Sequence, residues 1–229
     1  MFRGAGGLSK AVQEIGGKET ADISMSEKGL ESADLSCDDD FAKLLKVRAK
    51  WVHGAPPCKT FSTARRVDKF ASVKCLRTEE RPQGFGCEAT DVANKLAMRM
   101  LEIARGQMTR GDFFSIENPF SSLIWKLKPY VKLAGEEGVR LARVHQCMAG
   151  SIHRKETGVL TNAPWIGDLL CDIERRPHHH VPLIGVVKDF REVEGRSAFY
   201  TELASEYPEG LCNLWAKGFR EHFKDSVRG

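Results

Sequence analysis

Apolar residues recur at helical spacing most clearly over residues 91–105, where Val92, Leu96, Met100 and Ile103 share one face. The spacing predicts a helix there, broken by the stretch 106–111. Phe113, Phe114, Ser115 and Ile116 then read as a buried strand, stopped by Glu117-Asn118-Pro119. Residues 50–54 read as an earlier strand. It ends at Pro56 and Pro57, because prolines cannot continue a central ladder. Strand, helix and strand at this spacing predict a βαβ unit in a parallel sheet. Cys58 and Glu117 then follow the carboxyl ends of two strands, the edge at which open α/β sheets bind ligands.

Elsewhere the pattern is weaker. Gly4, Gly6 and Gly7 form a glycine-rich turn before a short helical stretch over 8–15. Only Met1 and Phe2 precede that turn, so a first strand is expected to be largely missing. Residues 20–25 read as a short strand. Asp38, Asp39 and Asp40 offer caps for a helix over 41–45. The stretch 60–90 has few periodic apolar positions and reads as loops. Near the C-terminus, Tyr200, Leu203, Tyr207, Leu211, Leu214, Trp215 and Phe219 predict helices that pack back on the core, divided by Pro208. The expected division is a core over 1–165 and a helical C-terminal extension over 166–229.

Composition narrows the class. A chain of 229 residues suits one α/β domain with a substantial core. A net charge of +4 is compatible with a polyanionic partner without requiring one. No apolar run approaches the roughly 20 residues of a membrane-spanning helix, and the N-terminus lacks the apolar centre of a signal peptide. Seven cysteines, an odd number with no CxxC pair, argue for free thiols in a reducing compartment. The expected location is intracellular, nuclear or cytoplasmic, and not secreted. Cys171 and the run His178-His179-His180 lack the spacing of a closed four-ligand site, so no metal is expected.

Three clusters carry chemistry. Cys58 follows a rigid Pro-Pro pair and precedes Lys59, Arg65 and Arg66, and nearby cations lower a thiol pKa. A lone free cysteine is more often buried and inert. Glu117, directly after an apolar strand, is a carboxyl whose pKa desolvation raises, and hence a proton donor or hydrogen-bond partner. The glycine turn permits close approach of a ligand, and the following helix N-terminus offers free N–H groups.

Taken in order, Phe2-Arg3-Gly4-Ala5-Gly6-Gly7, then Pro57-Cys58 with Phe61-Ser62, then Glu117-Asn118 resemble the C5-cytosine DNA methyltransferase family. That family carries FxGxGG, PCxxFS and ENV in the same order; Pro119 stands here in place of Val. The resemblance is to a divergent, short branch, whose PPC-x-x-FS-x-AR and ENP forms also occur in phage-like and protist proteins. After Gly150, where the family has QxRxR, the chain has His153-x-Lys155-x-Thr157, with Arg154 one place out of register.

The resemblance implies a Rossmann-like, doubly wound, mostly parallel sheet of the S-adenosylmethionine-dependent methyltransferase type. It implies S-adenosyl-L-methionine as cofactor, held by Phe2, Gly4, Gly6 and Gly7. Asp22, with Glu27 as fallback, would meet the ribose hydroxyls and Asp34 the adenine amino group. Cys58 would add to C6 of cytosine while Glu117 holds or protonates N3, giving C5 the character of an enamine. Lys155 or Arg154 would contact base or phosphate, and Ser62, Arg66 and Asn118 would line the substrate. The partner would be DNA, with the target base flipped out of the duplex, and RNA stays open. The other readings are a catalytically inactive nucleic-acid-binding remnant and an RNA cytosine methyltransferase.

Overall fold

The computed structural model describes residues 7–16, 35–62, 76–171, 179–183 and 206–225. The chain is α/β. In order come α1 (Gly7–Glu14), α2 (Asp38–Leu44), β1 (Trp51–Gly54), α3 (Glu88–Thr109), β2 (Phe113–Pro119), α4 (Lys128–Ala134), β3 (Arg140–His145), β4 (Glu156–Thr161) and α5 (Glu209–Asp225). Short 3-10 turns at Leu123–Lys126 and Gln146–Ala149 precede α4 and follow β3. Among the described residues no helix is long and apolar enough to cross a membrane.

The four strands form one mixed sheet in the order β1-β2-β4-β3. Only β1 and β2 are parallel, with His53 opposite Ser115; β4 is antiparallel to both β2 and β3. The mostly parallel, doubly wound sheet expected from the sequence is thus represented among the described residues by the β1–α3–β2 unit alone. The reason lies in chain length. The connection over 146–155 is shorter than the crossover of roughly a dozen residues that a parallel pair needs, so β3 and β4 pair antiparallel.

That pairing also corrects the end of β2. Glu117, Asn118 and Pro119 do not stop the strand. They lie within it, opposite Val159, Gly158 and Thr157 of β4. The predicted helix over 91–105 extends at both ends, and Val92, expected on its buried face, is exposed while Leu96, Met100 and Ile103 are buried. The three aspartates occupy the first turn of α2 rather than its cap, which is Cys37. Acidic groups there oppose the positive helix end favourably. Asp38 also meets Lys95 at 2.9 Å and pairs with the Arg99 guanidinium, tying α2 to α3. The expected strand over 20–25 lies outside the described residues.

Period-two alternation sorts the sheet into two faces. Phe114, Ile116 and Leu160 join Ala97, Met100, Ala104 and Tyr130 in the core beneath α3 and α4. On the other face Val144 and Val159 pack with Leu211 and Trp215 of α5, flanked by Trp51, Phe113 and Trp165. Helix α5 begins directly after Pro208, and its Cys212 and Ala216 pack on Ala11 of α1.

At Gly210 the α5 backbone passes so close to the chain at Ala149 that an added Cβ would lie 2.5 Å from the Ala149 carbonyl oxygen. The obstacle is backbone, which cannot rotate away. Gly210→Ala is therefore expected to destabilise the fold by about 1–3 kcal/mol, outweighing the modest gain in helix propensity. Thermal denaturation of the purified variant checks this, and an unchanged or higher midpoint would refute the contact.

Candidate active site

Strand β1 ends at Gly54, and residues 55–57 carry the chain to Cys58. A tight turn follows, closed by the Phe61 N–H donating to the Cys58 carbonyl at 2.9 Å. Phe61 is fully buried and anchors the turn in the core. Above its ring, 3.7 Å from the centroid, lies the Arg77 guanidinium. Arg77 donates to Thr60 Oγ1 at 3.1 Å on one side and to Asn94 Oδ1 and the Thr90 carbonyl of α3 on the other. This buried arginine clamps the cysteine turn to α3. Nothing in the local sequence pattern pointed to it.

The two central motif segments are bonded directly. Asn118 Nδ2 donates to the Pro56 carbonyl at 2.8 Å, two residues before Cys58. Asn118 is fully buried, and its Oδ1 has no partner among the described residues. Through this bond Asn118, expected to line the substrate, holds the cysteine loop against β2.

Glu117 is buried on the sheet face that carries α5. Burial pushes its carboxyl above the ordinary range, opposed first by Lys155 and then by a hydrogen bond from Tyr207. Cys58 is an exposed residue, yet the protein packed around its thiol, followed by the Glu117 carboxylate, raises its pKa; Lys155 acts in the other direction. Among the described residues, the strongest charged neighbour of this thiol in space is an acid from β2, and the cation that acts on it is Lys155. Arg65 and Arg66 lie outside the described residues.

Lys155 has a positive φ of 20°, an uncommon conformation for a residue with a side chain. Arg154 is committed elsewhere: it meets Glu156 at 3.1 Å, beside Arg143 at 2.9 Å and His145 at 3.6 Å. Between the two basic candidates, Lys155 is the one that acts on both Cys58 and Glu117. Ser62 is half-buried at the end of the cysteine turn. Gly7 opens α1, and its close neighbour is Cys212 Sγ of α5, 3.3 Å from where a Cβ would sit. Phe2, Gly4, Gly6, Asp22, Asp34 and Arg66 lie outside the described residues.

Behind Glu117 runs a polar chain. Tyr207, just before α5, bonds Glu117 and lies 2.9 Å from His53 Nε2. His53 Nδ1 is 2.7 Å from Ser115 Oγ, which accepts from Trp51 Nε1 at 2.9 Å. Alternation explains the assembly: Trp51 and His53 on β1, and Ser115 and Glu117 on β2, all point to the α5 face. Desolvation lowers the His53 pKa to about 3, so the ring is neutral and carries one N–H. With Glu117 ionised, Tyr207 O–H donates to it, His53 Nε2–H donates to Tyr207, and Ser115 O–H donates to Nδ1. With Glu117 protonated, the same chain can run in reverse, so the protonation of Glu117 and the tautomer of His53 are coupled.

Tyr207→Phe breaks this chain. The Tyr207 hydrogen bond lowers the Glu117 pKa, so its loss is expected to move the carboxyl further up. It also leaves two buried polar groups without their partner, at a cost of about 1–3 kcal/mol. Carboxyl titration by NMR and a thermal melt check both effects; a downward shift would exclude the bond.

A second cluster lies off this site. Ligand atoms of Cys147, Cys171 and His180 fall within 4.8 Å of one another, although the sequence spacing led to no expected metal site. No family model, curated protein or solved structure matches the chain.

Proposed function

We propose that the chain transfers a methyl group to carbon 5 of cytosine in DNA through a covalent adduct on Cys58. The observation that carries this reading is convergence. Cys58, Glu117 and Lys155 come from three separate segments, and each acts electrostatically on the next at the carboxyl end of the parallel β1–β2 pair. In this reading β1–α3–β2 is the parallel portion of a doubly wound methyltransferase sheet, with the β3–β4 hairpin along its other edge.

The roles follow from the environments. The Cys58 thiol is exposed and free to meet a flipped base. It gives its proton to solvent and adds to C6; after methyl transfer, loss of the C5 proton to solvent and departure of the thiolate restore the ring. Glu117, its carboxyl pKa raised by burial, is the partner that holds or protonates N3, and the coupled Tyr207–His53 chain accommodates either charge state. Lys155 offsets the negative charge that the pair develops. When bound, S-adenosyl-L-methionine supplies the electrophilic methyl group. Of its expected holders only Gly7 is described. It opens α1, whose first turn carries no acidic side chain, and such a helix end suits the carboxylate of an amino-acid moiety. The raised Cys58 pKa favours one other reading, a nucleic-acid-binding relative that no longer forms the adduct.

The test is incubation of the full chain with labelled S-adenosyl-L-methionine and duplex DNA, single-stranded DNA or RNA, with 5-fluorocytosine substrates as traps. Label on C5 of DNA cytosine with an adduct at Cys58 supports the proposal. Label on RNA alone moves the substrate to RNA. DNA binding with neither label nor adduct, from folded protein that binds cofactor, overturns catalysis in favour of the inactive relative.

A further inference from the structure

We infer that Cys147, Cys171 and His180 form a zinc(II) site that fastens the segment after β4 to the connection between β3 and β4. The Cys147 thiol, the Cys171 thiol and an imidazole nitrogen of His180 all lie within 4.8 Å of one another. A tetrahedral zinc ion, with bonds of about 2.3 Å to sulfur and about 2.0–2.1 Å to nitrogen, places its ligand atoms roughly 3.5–3.8 Å apart. Small rotamer adjustments close the difference. A disulfide would use the two sulfurs and leave unexplained why an imidazole stands within 4.8 Å of both.

The backbone around each ligand is held independently of the ligand atoms. Cys147 sits in the 3-10 turn Gln146–Ala149, capped by Gly150 in a left-handed conformation. The His145 N–H donates to the Leu169 carbonyl at 2.8 Å and the Leu169 N–H to the Arg143 carbonyl at 2.9 Å, which aligns the segment before Cys171 with β3, and the Cys171 N–H donates to His145 Nδ1 at 2.9 Å. On the third side, Val181 N–H donates to the Ile152 carbonyl at 3.0 Å, and His153 Nδ1 lies 2.8 Å from the Val181 carbonyl. His180 is thereby set beside the 146–155 connection. Thiolate and imidazole donors favour zinc over magnesium or calcium, which take oxygen. Three protein ligands leave the fourth tetrahedral position to water or a further side chain.

Binding replaces the two thiol protons, which pass to solvent, so affinity rises with pH. The ion would brace the connection that carries Lys155. The inference stands on the ligand cluster alone and is independent of the methyltransferase reading.

The test is metal analysis of the full chain, purified under reducing conditions and reconstituted with zinc, followed by cobalt(II) replacement. The expected result is one metal per chain, a tetrahedral cobalt spectrum and thiolate-to-cobalt charge transfer from two sulfurs. Cys147→Ser, Cys171→Ser and His180→Gln are each expected to weaken binding by at least about tenfold, since even removing groups that only support ligands costs that much. Cys87→Ser is expected to change nothing. The wild-type cobalt spectrum counts the sulfurs even where a variant fails to fold. Absence of bound metal in folded wild-type chain, a spectrum without sulfur ligands, or a Cys147–Cys171 disulfide persisting under reductant would overturn the site. None of these outcomes depends on methyl transfer.

Discussion

Replacing Cys58 with alanine is expected to abolish methyl transfer, by at least about a thousandfold, while leaving affinity for S-adenosyl-L-methionine close to that of the wild type. The alanine removes the group proposed to bond the base covalently. The expected cofactor contacts, Phe2, Gly4, Gly6, Gly7, Asp22 and Asp34, are other residues. Cys58→Ser is expected to be nearly as severe, since a hydroxyl is far less ionised than a thiol near neutral pH. Because burial and Glu117 raise the Cys58 pKa, adduct formation should accelerate as pH rises through and beyond the ordinary thiol range. Lys155→Ala removes the cation that lowers this thiol, so the same profile should move to still higher pH. Exposed Cys87 and buried Cys212 serve as controls and should leave the adduct intact. Mass spectrometry of the complex with fluorinated cytosine locates the bond. An adduct on another cysteine, or full activity in Cys58→Ala, would sink the catalytic assignment.

The parts of this site that the sequence disclosed are those written into local period. The helix over 91–105 and the two strands that flank it announce themselves by spacing, and they place Cys58 and Glu117 on neighbouring strands. The hairpin did not announce itself. Arg140 and Arg143 interrupt the apolar positions of β3, although Ala142 and Val144 are buried on the α5 face. Without that hairpin, Glu117-Asn118-Pro119 looked like a strand end rather than a paired segment. Lys59 adjoins Cys58 in the chain, but Glu117 and Lys155 act on its thiol in space. The bond between His53 and Tyr207 spans 154 positions, and no periodicity links residues so far apart. Tyr207 was visible only as an apolar position before Pro208. The same holds for Cys147, whose approach to Cys171 and His180 depends on β3 being aligned by Leu169.

Glu117→Gln is expected to separate stability from activity. The folded-state carboxyl pKa is raised above its ordinary value of 4.5, chiefly by burial. A carboxyl raised in this way contributes stability that is fully present below the unfolded pKa and is lost as pH rises through the folded value. Above that value the wild type therefore keeps a buried, partly compensated negative charge, which glutamine does not carry. Glutamine is also nearly isosteric, and its amide can still bond Tyr207. The variant should melt at a higher temperature than the wild type above the folded-state pKa of Glu117, with the gap closing as pH falls through that value. Methyl transfer should fall in the same variant by about 10²–10⁴-fold, because an amide can hold N3 but cannot give or take its proton. Such a pairing, more stable and less active, is what a site that tolerates strain for chemistry produces. Melting curves across pH, beside single-turnover methyl transfer, measure both. A lower midpoint above the folded-state pKa would show that Glu117 is stabilised as a carboxylate by Lys155 and Tyr207, and undiminished transfer would remove it from the chemistry.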